Sequence, residues 1–135
     1  MASTTRPQAD RDMGAKYKER SAAILAISPN IRYAGIMNKF GRTIAGSLRK
    51  GVTPLLKPDE ARNEYFIEVT RNQLRRNFHN SIGKTEYTLT ENEKVKILTL
   101  STEENFFYIT LDKETQTSEV SRVIGAARNL IKAGP

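Results

Sequence analysis

His79 is the only histidine in the chain, and cysteine is absent. A Ser-His-Asp relay would therefore have to run through His79, and thiolate chemistry or a metal site built on two imidazoles is excluded within one chain. Arg75 and Arg76 stand beside His79, and their charges disfavour its protonated form. It reads as a surface histidine near a helix C-terminus, where positive charge is mildly favourable, rather than a proton-transfer group. The carboxylates Glu91/Glu93 and Glu103/Glu104 fall in turns between expected strands, where solvated acids are ordinary. Gly41, Gly46 and Gly51 lack the G-x-x-x-x-G-K-[ST] spacing of a phosphate cradle. Phe106-Phe107-Tyr108 could stack bases on an open sheet, as in single-strand binders. Consecutive strand residues point to opposite faces, however, and no basic residues interleave with these aromatics. The composition permits a binding module more readily than an enzyme, with no cofactor implied.

Charge is the other chemical resource. The 135 residues carry a net +7, unevenly spread. Residues 1–50 hold ten Lys/Arg against three acids, residues 51–85 six against four, and residues 86–135 six against eight. Lys16, Lys18, Arg20, Arg49 and Lys50 thus form a candidate contact for an acidic partner or polyanion. The plainer reading is a solvated basic face. The length fits one domain, and the absence of cysteine leans towards a reducing compartment. The first residues lack the apolar stretch of a signal peptide. The longest apolar run, Ala22–Ile27, is far short of the ~20 residues of a membrane span. The expectation is a soluble, cytoplasmic protein.

The elements that must position these groups follow from periodicity. Polar residues 1–13 are expected as a flexible basic arm, followed by a single domain over 14–133. A short amphipathic helix runs from Gly14, with Tyr17, Ser21, Ile24, Leu25 and Ser28 on one face, and Pro29 ends it. Ile31–Met37 is apolar at nearly every position and reads as a central strand. Asn38–Arg42 is a turn with Gly41 supplying positive φ, and Thr43–Leu48 returns as a second strand. Pro58-Asp59-Glu60 opens a long helix reaching about Asn80, with Gly83 as its stop. Strands are expected over Lys84–Thr90, Val95–Leu100 and Phe106–Leu111. Val120, Val123, Ile124, Ala127, Leu130 and Ile131 stripe a last helix. The order α-β-β-α-β-β-β-α predicts an α+β domain, a five-stranded antiparallel sheet flanked by helices.

This order, with the segment Ala34-Gly35-Ile36-Met37-Asn38-Lys39-Phe40-Gly41-Arg42-Thr43-Ile44-Ala45, resembles the Roadblock/dynein light chain proteins. Their sheet is related to profilin-like and longin-like domains. The segment departs from the family at Asn38 and Lys39, where the turn usually carries Asp. The resemblance implies a non-enzymatic, dimerising scaffold that binds a small Ras-like GTPase or a related signalling partner.

The long helix carries two apolar stripes, Ile67/Leu74/Phe78 and Ala61/Tyr65/Val69. One stripe suffices to pack a helix on its own sheet, so the other points either to a partner chain or to a covering loop. The resemblance implies pairing through this helix and the strand after it, which assigns Ala61, Tyr65, Val69, Thr85, Tyr87 and Leu89 to a dimer interface. Two rival readings stay open. One is a PAS- or GAF-type ligand-sensing domain, which needs a cavity between sheet and helices. The other is a binder of nucleic acid or an anionic surface through the basic N-terminal third.

Overall fold

A computed structural model describes residues 8–133 of the chain. Helix α1 (Gln8–Leu25) leads into strands β1 (Ile31–Met37) and β2 (Thr43–Leu48). Helix α2 (Pro58–Arg75) continues through a 3-10 turn (Arg76–Phe78) into the short helix α3 (His79–Ile82). Strands β3 (Thr88–Glu91), β4 (Val95–Ser101) and β5 (Phe106–Asp112) precede helix α4 (Thr117–Lys132). The strands form one antiparallel sheet in the order β2-β1-β5-β4-β3, as expected of the fold class.

Three boundaries differ from the sequence reading. Helix α1 starts at Gln8, so the second half of the expected arm is helical. Residues 1–7 of that arm lie outside the described residues. The stretch 8–13 lacks an apolar stripe, but it contains no proline or glycine to resist helix growth from the amphipathic part behind it. The long helix tightens into the 3-10 turn after Arg75 before Gly83, at φ +87°, ends it. Strand β3 covers only Thr88–Glu91, because β4 supplies partners for those four residues alone.

The turn after β1 explains the departure at Asn38. Its Oδ1 accepts hydrogen bonds from the backbone N–H groups of Phe40 (2.9 Å) and Arg42 (3.1 Å). An aspartate would do the same, so Asn38 fulfils the turn's requirement without the charge. Gly41 follows at φ +84°.

The sheet separates two cores of unequal size. Under α1 and α4 lie Ile24, Ala34, Ile36, Leu98, Phe107, Ile109, Val123 and Ala127. The opposite face, under α2 alone, has Met37, Val69, Ile97, Phe106 and Tyr108, with Tyr33, Tyr65 and Val95 packed against them. Alternation sends Phe107 to the first core and Phe106 and Tyr108 to the second. None of the three aromatics is left open for stacking bases.

Candidate partner-binding surface

Tyrosines build the face beneath α2. Gly35 and Gly46 stand opposite each other on β1 and β2. A Cβ at either would lie 2.6 or 2.4 Å from the Tyr33 side chain, so the two glycines let that ring lie across both strands. Tyr33 and Tyr65 pack against the same core. The Tyr65 ring meets Tyr108 edge-on at 5.0 Å, and the Tyr108 hydroxyl donates to Glu64 Oε2 at 2.8 Å. Burial raises the pKa of all three tyrosines; Glu64 raises those of Tyr65 and Tyr108 further. They remain neutral.

This arrangement shows how the two helix stripes lie within one chain. Val69 is 4% exposed in the core, and Tyr65 is half-buried against the sheet. Both pack against their own sheet, where the Tyr65 ring meets Tyr108. Ala61 shares the stripe and is half-buried. The other stripe faces outwards: Ile67, Leu74 and Phe78 are 57%, 61% and 50% exposed. Phe66 is also exposed, beside the Gly41 turn, and Ile82 extends the apolar surface past the 3-10 turn. The Arg75 guanidinium lies 5.3 Å from the Phe78 ring centre.

Charges are ordered along α2. Asp59, Glu60, Glu64 and Glu68 occupy its first part, and Arg71, Arg75 and Arg76 its end. Early acids and late bases both suit the helix dipole. Glu60 also accepts the Lys57 backbone N–H at 2.9 Å, closing the helix start ahead of Pro58. Glu68 is buried, with Arg71 Nη1 3.9 Å from its Oε2. Burial first, then the neighbouring Glu64, push its pKa up, while Arg71 opposes them.

Next to this helix lies β3, which is an open edge of the sheet. Tyr87 and Leu89 are exposed there. Leu89 pairs with Leu98, which places it on the α1/α4 side of the sheet. Thr85 is half-buried ahead of the strand, lining clefts against α2 and the 3-10 turn.

The basic set is unevenly exposed. Arg49 is consumed internally: its Nε donates to Ile31 O at 2.6 Å, and its Nη2 to Leu25 O (2.6 Å) and Ser28 O (2.7 Å). It ties the end of α1 to the start of β1, because a planar guanidinium can reach several carbonyls left open where a helix stops. Arg20 is half-buried, and its Nη1 donates to Ile131 O at 3.4 Å. Lys16, Lys18 and Lys50 are exposed.

His79 departs from its reading as a plain surface residue. It is half-buried, and its Nε2 is enclosed with no hydrogen-bond partner. Sequence reasoning missed this because His79 lies beyond Arg75, where the 3-10 turn shifts the helical phase. Among the described residues, no group of three His, Asp or Glu side chains is placed to hold a metal ion. No helix among them is long and apolar enough to cross a membrane.

No protein-family model matches the sequence, and no curated protein matches it. Solved structures match it in shape. The gliding protein MglB from Thermus thermophilus superposes with a TM-score of 0.70 at 12% identity, covering 98% of this chain and 96% of that one. Myxococcus xanthus MglB gives 0.66 at 12% identity over 87% and 93% of the two chains. A Roadblock/LC7 domain from Streptomyces avermitilis gives 0.57 at 11% identity over 85% and 97%. Identity this low speaks for the fold and leaves the chemistry to the residues. The chain has a Roadblock-like fold.

Proposed function

We propose that the protein is a non-enzymatic, homodimerising scaffold that docks a small Ras-like GTPase. The observation that carries the pairing is the exposed stripe Ile67/Leu74/Phe78 on α2, beside the open β3 edge. An apolar stripe of this kind on a soluble protein marks an interaction surface. The charge order on α2 favours a second copy as its occupant. A two-fold axis that sets two α2 helices antiparallel brings the acidic first part of each beside the basic end of the other. Tyr87 and the unpaired backbone of β3 extend the same surface. The GTPase follows from the resemblance of the fold and hairpin to Roadblock proteins, whose members regulate such enzymes.

Ile67→Glu combined with Leu74→Glu converts the dimer to a monomer with an unchanged circular dichroism spectrum, because both side chains are already outside the core. Light scattering at micromolar concentration reads this directly, and a wild-type monomer there refutes the pairing. Docking is tested by calorimetry with a Ras-like GTPase from the same genome, loaded with GDP or a GTP analogue. Binding of one loaded form over the other supports the scaffold, and no heat with either form refutes it.

A further inference from the structure

Where α2 gives way to the 3-10 turn and α3, a cleft of about 630 Å³ opens towards the β4–β5 turn. Its lining gathers positive charge. Arg76 and Lys84 border it, and neither forms an ion pair or side-chain hydrogen bond among the described residues. His79 lines the same wall, with its Nε2 enclosed and unpartnered. The hydroxyl residues Thr85, Ser101 and Thr102 share the lining with Asn72. Ser101 Oγ accepts from Asn72 Nδ2 at 3.2 Å, and Thr102 Oγ1 accepts from the Asn105 N–H at 3.1 Å. Each has a lone pair engaged and its proton free to donate. Glu103, on the turn, is the single carboxylate on the cleft among the described residues. Its contents are thus cations and donors in excess of acceptors.

We propose that this cleft binds a phosphate group, as free phosphate or as the phosphomonoester of a small metabolite. Several donors converging from different sides suit a tetrahedral oxyanion with many acceptor sites, and charge-assisted bonds from Arg76 and Lys84 supply most of the attraction. The proposal does not require dimerisation, because every group lining the cleft belongs to one chain.

A single histidine makes the test clean, since its ring Cε1–H gives one resonance in a nuclear magnetic resonance spectrum. The wild-type chain is titrated with pH in inorganic phosphate and in chloride at equal ionic strength. Phosphate raises the His79 midpoint by roughly half a unit or more, because a nearby anion favours the imidazolium. Removing one of the two permanent cations, as Arg76→Ala or Lys84→Ala, weakens phosphate binding about tenfold. Glu103→Gln strengthens it, and Lys16→Ala, on the far helix α1, leaves it unchanged. AMP and glucose 6-phosphate identify the source: tighter binding of either than of free phosphate assigns a phosphomonoester, and equal binding assigns phosphate itself. The same His79 midpoint in phosphate and chloride up to tens of millimolar, or loss of the effect in Lys16→Ala, overturns the proposal.

Discussion

At the residue scale, the turn between α1 and β1 gathers three charged side chains that a linear reading leaves on the surface. Arg49 donates to three backbone carbonyls there. Ser28 Oγ donates to Glu119 Oε2 at 2.6 Å, and Arg122 bonds both Glu119 and Ile27 O. Replacing Arg49 with Ala leaves buried carbonyls without donors, which costs about 2–4 kcal/mol. Urea unfolding of Arg49→Ala against Lys16→Ala checks this, with Lys16→Ala close to wild type. The acids differ in sign. Hydrogen bonds from Arg122 and then Ser28 lower the Glu119 pKa to about 2. A depressed folded pKa contributes stability above the ordinary carboxylate range, and that contribution is lost as pH falls towards about 2. Burial raises Glu68, so the folded state resists its ionisation and stability declines as pH rises through its folded pKa. Melting temperatures across pH 2–7 therefore rise less steeply with pH for Glu119→Gln than for wild type, and more steeply for Glu68→Gln.

At the element scale, the order of helices and strands was legible because each element has its own period or punctuation. Pro29, Gly41, Pro58 and Gly83 mark boundaries through backbone geometry alone. The orientation of α2 was not legible. Periodicity finds two stripes on a helix without saying which one meets the sheet, and the more apolar stripe is the one left outside. What decides it is long-range: the Tyr65 ring meets Tyr108, and the Tyr108 hydroxyl reaches Glu64, only with the tyrosine stripe facing inwards. The facing pair Gly35 and Gly46 was equally hidden, because only strand register brings them together under Tyr33. Gly46→Val must displace the Tyr33 ring, and such overpacking costs about 1–3 kcal/mol. The denaturation midpoint should fall accordingly, and fall less when Tyr33→Ala is added to make room.

At the scale of the whole molecule, the +7 charge does not coincide with the apolar surface. Arg49 and Arg20 are engaged within the fold, and the exposed lysines of α1 lie across the sheet from α2. Polyanion binding through this side should be loose, and lost as salt rises and screens exposed charges beyond ~8 Å at physiological ionic strength. A DNA mobility shift in a salt series checks it. Self-association through α2 should instead survive added salt, because its apolar stripe is indifferent to screening.

The unequal cores give the molecule two rates of breathing. Beneath α1 and α4 the buried cluster is large and covered by two helices, while the smaller cluster on the other face has α2 as its only lid among the described residues. Amide protons around Val69 should therefore exchange with deuterated water sooner than those around Val123 and Ala127, because the thinner layer opens at lower free energy. A second copy seated on Ile67 and Leu74 would slow exchange in α2 and leave α4 untouched. Exchange rates that depend on protein concentration in α2 alone would thus place the seam between protomers on this lid, in a chain carrying no label or substitution.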